Sequence, residues 1–296
     1  MTFQVLSNVS ARLNAYGRAF AISLTILLAA CSSKLAYNNL DWLVDWYLSD
    51  LIDLTDAQQA QFDHQVTIWH RWHRTTELTR YRAHLVKLKA SVYSSPLTAQ
   101  QWLHEFDATR QYWQSFVEMI APDLVALSLS VSEHQLIVLF DRLEKKNQES
   151  VDEWTERQPA ERQESLIERT TDRIENWIGT LTPMQSQIIQ KQVKQIQPTF
   201  LVRLEYRRSI QAESKKLLLQ YQRGDIDEKP IVTLWNQAQS NKSDQLKTLE
   251  ETNRSLYANM LSQLGNTLTT EQKAHLDKEI IDLISDLDAL IDKKGS

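Results

Sequence analysis

One cysteine, five glycines and six prolines are all that 296 residues contain of three residue types that shape many folds. The lone cysteine, Cys31, excludes an intramolecular disulfide, so stability has to come from packing. So few glycines and prolines leave little material for tight turns and argue for long helices. No run of roughly 20 apolar residues is present, which is what a comfortable membrane span needs. The richest run, residues 19–30, holds about a dozen and is interrupted by Ser23 and Thr25. A Gly-rich phosphate loop, Gly-x-Ser-x-Gly and His-Glu-x-x-His are all missing. The expectation is therefore a non-enzymatic protein with no cofactor.

What is present begins at the N-terminus. The first 30 residues carry Arg12 and Arg18, no acidic residue, the short apolar run, and a close in Leu28-Ala29-Ala30-Cys31. A basic region, an apolar region and small residues at a cleavage point make a secretory signal. Leu-Ala-Ala-Cys is in addition a lipobox, with cleavage between Ala30 and Cys31 and acyl chains, palmitate among them, on Cys31. The bland alternative is an ordinary signal followed by a cysteine that behaves as a small core hydrophobe. One acyl chain binds a bilayer only marginally, whereas the two or three of a lipoprotein anchor it stably. Ser32, not an acidic residue, follows the cysteine, which points to the outer membrane with the body facing the periplasm. The organisation expected is a signal over 1–30 and one helical body over 31–296, with two sub-bundles meeting near residue 180.

Without residues 1–30, Lys+Arg falls from 33 to 31 against 38 acidic residues, a net charge of about −7. Nucleic acid is an unsuitable partner for such a chain. Apolar residues recur at alternating steps of three and four, the period of a buried helix face. Trp102, Phe106, Thr109, Trp113, Phe116 and Ile120 follow it; so do Leu136, Phe140, Leu143, Asn147, Val151 and Trp154, and Leu276, Ile280, Leu283, Leu287 and Leu290. No strand is expected. The fold class is all-α: about eight long antiparallel amphipathic helices in a bundle, near 37–52, 56–93, 99–120, 133–157, 160–179, 183–223, 230–264 and 270–292. Breaks are expected at Pro96, at Ala121-Pro122, at Pro159 and at Gly224, and a kink at Pro198.

Leu-Thr-x-x-Gln occurs four times, ending in Gln58, Gln101, Gln185 and Gln272, with a degenerate copy from Val131 to Gln135. Physically it is a capping box: the hydroxyl of Thr55, Thr98, Ser132, Thr182 or Thr269 accepts from the N3 amide, and the glutamine reaches back to the cap amide. Each box is worth about 1 kcal/mol. The same motif marks the small periplasmic stress chaperones typified by Spy and CpxP, which this chain resembles in helicity and motif. That resemblance implies a chaperone-like role in envelope maintenance.

Between these features lie Tyr37-Asn38-Asn39-Leu40-Asp41-Trp42-Leu43-Val44-Asp45-Trp46-Tyr47 and Trp69-His70-Arg71-Trp72-His73-Arg74. With the lipobox they resemble an uncharacterised family of Gram-negative lipoproteins, a resemblance that implies location and fold but no activity. His70 and His73 share a helix face and are weak metal candidates, but zinc needs three or four ligands. A buried histidine paired with a carboxylate or carbonyl is the plainer reading. Asp41, Asp45, Asp50 and Asp53 could clamp onto Arg71, Arg74, Arg80 and Arg82. Alternatively Trp42, Trp46, Tyr47, Trp69, Arg71 and Trp72 form an interaction surface, since Trp, Tyr and Arg dominate binding hot spots. The partners expected are the membrane, through the lipid, and other envelope proteins or peptides. A scaffold for one dedicated partner is the alternative to a chaperone-like binder, and a metal-dependent enzyme using His70 and His73 is the third, remoter reading.

Overall fold

The computed structural model describes residues 30–292, with side chains from Lys34 onward. The expected signal segment, apart from Ala30, and the Cys31 side chain lie outside the described residues. Among the described residues every regular element is helical, the all-α fold that the periodicities predict. The chain enters through α1 (Ala30–Asn38) and α2 (Leu40–Ser49). It continues through α3 (Asp56–Trp72), a π-helical turn (His73–Glu77) and α4 (Leu78–Ser94). Then come α5 (Ala99–Ser128), α6 (Glu133–Glu156), α7 (Pro159–Ile178), α8 (Pro183–Val193) and α9 (Phe200–Gln222). The last three are α10 (Lys229–Asn236), α11 (Asp244–Gly265) and α12 (Thr270–Asp292). No helix among the described residues is long and apolar enough to cross a membrane.

The seams read from the sequence are the buried faces. Ile174 and Ile178 of α7, Ile189 and Val193 of α8, and Met260 and Leu264 of α11 form one cluster. Val125 of α5, Leu136 of α6, Leu218 of α9 and Ile231 of α10 form another. Tyr37 of α1, Leu78 of α4, and Leu287 and Leu290 of α12 form a third. Each such side chain, fully buried, contributes about 1.5–3 kcal/mol. α5, about 45 Å long at 30 residues, packs along both α11 and α10. α4 packs along α12, and α6 along α9. Helices from the first and second halves of the chain thus interleave.

Several expected boundaries move, each for a local reason. α5 runs through Pro122 to Ser128 instead of stopping at Ala121. Proline costs a backbone hydrogen bond there, but Ala121 and Val125 flank it at 1% exposure and their packing holds the helix together. At Pro198 the helix breaks outright: α8 ends at Val193 and α9 begins at Phe200. Asn253 of α11 satisfies the freed backbone, accepting from the Gln197 amide at 2.9 Å and donating to its carbonyl at 2.8 Å. The expected helix over 230–264 is two, because the polar run after Asn236 turns and Ser243 caps α11. The expected helix over 37–52 is also two, parted at Asn39, whose side-chain amide donates to the Leu35 carbonyl. Gly179 and Gly224, at φ 77° and 78°, end α7 and α9 in the left-handed conformation that glycine adopts without strain.

Candidate functional site

All five capping boxes form. The glutamine side chains of the boxes at Thr55, Thr98, Ser132, Thr182 and Thr269 accept from their own cap amides at 2.7–3.1 Å. Four of the five go further and close in pairs. Gln185 and Gln272, 87 residues apart, donate to each other's Oε1 at 2.8 Å. Gln185 also donates to the Thr267 carbonyl and Gln272 to the Thr180 carbonyl, each two residues before the partner's cap. Gln58 and Gln135, 77 residues apart, repeat the arrangement, donating to each other and to the carbonyls of Ser130 and Asp53.

In each pair the carboxamide uses both N–H donors and both oxygen lone pairs. A glutamate could accept from the cap but could not donate to the partner. That explains the glutamines. The box opening α7, from Gln158 to Glu161, is unpaired and uses a carboxylate. The box of Thr98 and Gln101 is exposed and also unpaired.

The second constellation surrounds the π-helical turn, where the Leu78 amide reaches back five residues to the His73 carbonyl. α1 inserts Tyr37, 1% exposed, against this turn. Its hydroxyl lies 3.0 Å from His73 Nδ1, while the Tyr81 hydroxyl lies 3.4 Å from His73 Nε2. The Arg74 guanidinium stacks over the Tyr37 ring at 5.2 Å and donates to Asn38 Oδ1 and to the Leu290 carbonyl. Glu77 is fully buried; one oxygen takes a 2.6 Å bond from Arg80, and Oε2 is buried with no hydrogen-bond partner. Tyr112 meets Tyr81 edge-on at 4.6 Å, and Glu105 pairs with His84 at 2.7 Å.

Burial, with His70 beside it, holds the His73 imidazole down to about 4. Burial and then Arg74 lower His70 as well, and burial raises the Tyr37 and Tyr81 hydroxyls. At neutral pH the cluster therefore consists of a neutral imidazole between two protonated phenols. Both His73 nitrogens face hydroxyls, and His70 Nε2 faces Arg74 at 3.3 Å. Among the described residues no group of three or more metal-ligating side chains is gathered.

The chain matches the family of unknown function DUF6279 over residues 50–246, two thirds of its length. It belongs to that family. No curated protein and no solved structure matches it. The DUF6279 span takes in the π-helical turn, Gln58, Gln135 and Gln185, and stops short of Gln272; Trp42 and Trp46 lie before it.

The candidate interaction residues part company in this DUF6279 chain. Trp42 and Trp46 are 63% and 52% exposed, with Tyr47 and Arg71 also at the surface. Trp69 is half-buried and donates to Asp123 of α5 at 2.8 Å, and Trp72 is half-buried against His73. Four of the six are thus exposed and two are half-buried against the body. The expected Asp-Arg clamp does not form, because Asp50 and Asp53, just after α2, face the middle of α6 while the arginines of α4 face α12 and their own turn. Asp50 pairs with Lys146 and Asp53 with Arg142, and Asp45 accepts from Gln59. Arg82 pairs with Asp288 and Arg80 with Glu77.

Sequence reasoning missed the π-helical turn and the pairing of the boxes. The first had a signal. Trp69, His73, Glu77, Tyr81 and Leu85 advance by four at every step, and at about 100° per residue a straight α-helix would carry such a row steadily off its face. One wider turn brings it back.

Proposed function

We propose that this protein is a lipid-anchored, periplasm-facing envelope protein that binds another envelope protein and catalyses no reaction. The observation that carries the reading is the seating of α1. Six residues after the lipobox cysteine, Tyr37 is locked into the body, and Lys34 pairs with Asp286 of α12. An anchor attached there would hold the body directly at the membrane, not on a long flexible stalk. Such a mount suits a stationary binding partner better than a protein that must wrap diffusing clients.

The shapes of the surface support a dedicated partner over broad chaperoning. The open trough of about 640 Å³ along α11 is lined by Lys247, Thr248, Glu251, Thr252, Ser255 and Asn259, with Leu256 as its one large apolar side chain. Four of the five capping-box glutamines are engaged with one another inside the fold. The anchor is tested by radiolabelled palmitate incorporation in cells, which Cys31→Ala should abolish together with membrane fractionation. Labelling that survives the substitution would overturn the anchor. The purified protein should leave the aggregation of an unfolded client unchanged at equimolar ratio; strong suppression would restore the chaperone reading.

A further inference from the structure

Helix α2, Leu-Asp-Trp-Leu-Val-Asp-Trp-Tyr-Leu-Ser, is rich in large apolar residues yet contains no buried residue. Trp42 and Trp46 stand one turn apart on its outer side, and Leu35 of α1 is 68% exposed. The acidic residues around them do not define this face. Asp45, Asp50 and Asp53 are engaged by Gln59, Lys146 and Arg142 of the body, and Lys34 by Asp286. The large apolar side chains left toward solvent are the two indoles, Leu35 and the edge of Tyr47, with Asp41 and the body-paired aspartates exposed around them.

We propose that this face docks on the bilayer that carries the anchor, with Trp42 and Trp46 at the level of the lipid headgroups; the proposal rests on the lipid-anchor reading above. Indoles favour that depth because the ring is apolar while its N–H can reach headgroup and carbonyl oxygens. Chain length argues for lipid over protein as the occupant. Trp42 comes eleven positions after Cys31, along a stretch that is almost all helical, so the indole lies within about 20 Å of the attachment point. Leu35 comes one turn after Cys31. A protein covering these side chains would have to wedge between the body and the membrane to which it is fixed. Docking at α2 in addition to the acyl chains would fix the body's orientation as well as its distance.

The test uses the full acylated protein in phosphatidylethanolamine/phosphatidylglycerol vesicles whose lipids carry bromine near the headgroup, a short-range quencher of indole emission. The chain has nine tryptophans, so quenching of the two docked ones should remove about a fifth of the emission. The double variant Trp42→Phe/Trp46→Phe, with an unchanged far-ultraviolet dichroism spectrum, should lose almost none. Equal quenching of the two proteins, or none in the wild type, overturns the docking. The mass of the mature N-terminus is read on the same sample. An acylated Cys31 with unquenched indoles sinks the docking and spares the anchor. A free Cys31 thiol with quenched indoles sinks the anchor and keeps the docking. A photo-crosslinking side chain at position 46 that captures a protein in cells, in place of phospholipid, also overturns it.

Discussion

The difference between glutamine and glutamate, a single N–H₂ against a single oxygen, decides the worth of each Leu-Thr-x-x-Gln box. Gln272→Glu removes the donors to Gln185 and to the Thr180 carbonyl at a position 5% exposed, and sets a carboxylate against an oxygen. We expect a loss of about 2–3 kcal/mol, since buried groups stripped of partners cost about that much. Gln101→Glu, in the exposed unpaired box, should change stability by less than about 0.5 kcal/mol because a carboxylate caps equally well. Urea unfolding midpoints of the two variants check this; equal effects would show that the pairing carries no energy. The capping was legible in the sequence because it involves residues three apart. The pairing was not, because nothing within either box says which distant box it will meet.

His73 offers a second test at this scale. In the folded protein its imidazole is held down to about 4, whereas in the unfolded chain it titrates near 6.5. Between those values the unfolded chain binds a proton that the folded chain does not. The contribution is therefore complete above about pH 6.5, falls as the pH drops, and is exhausted below about pH 4. Its full size is on the order of 3 kcal/mol, with His70 acting in the same direction. His73→Gln keeps hydrogen-bonding capacity toward Tyr37 and Tyr81 but cannot titrate. Its unfolding midpoint should vary less than the wild type's between pH 7 and pH 4.5, and parallel pH curves would contradict the assignment.

At the level of elements, what could be read in advance divides by what stabilises each piece. α6, α7 and α12 carry regular apolar rows and strong starts, and fall within a residue or so of the expected limits. The misplaced boundaries are those decided by tertiary contact. Pro122 is carried inside α5 by the burial of its neighbours, and the break before α9 is held by a side chain 56 residues away. Asn253→Ala should therefore cost about 1–2 kcal/mol by leaving the Gln197 peptide to solvent. The loss should show as faster amide exchange confined to residues 194–200.

The π-helical turn makes a sharper prediction. Deleting Thr76 would let α3 and α4 run on as one regular α-helix; the turn absorbs one extra residue, so Tyr81 and Leu85 would keep the face they share with His73. Inserting one alanine after Thr76 would instead turn everything beyond it by about 100°, and α4 would present the wrong side to α12. We expect the insertion to cost more than about 3 kcal/mol, well beyond the deletion. Thermal unfolding of the two variants checks this, and equal losses would show that the turn does not set the facing of α4.

For the molecule as a whole, the decisive contact is the one that joins its N-terminal helix to the rest. Tyr37 brings together α1, the π-helical turn and the end of α12, so its removal should loosen the mount and spare the body. Tyr37→Ala deletes a buried aromatic ring, a loss of about 3–5 kcal/mol for a side chain of that size. α1 is otherwise held by the Arg74 to Asn38 hydrogen bond, worth about 1 kcal/mol, and by the Lys34 to Asp286 pair, partly exposed and worth less than about 1 kcal/mol. Helix α1 should therefore exchange its amides almost freely in the variant, and protease should cut between α1 and α3. The cluster of Ile189, Val193 and Met260 does not touch α1 and should stay protected. Tyr37→Phe keeps the ring and loses only the hydroxyl, so it should move exchange in α1 by about 1 kcal/mol. Unchanged exchange in α1 of Tyr37→Ala would mean that α1 is held to the body by some other contact.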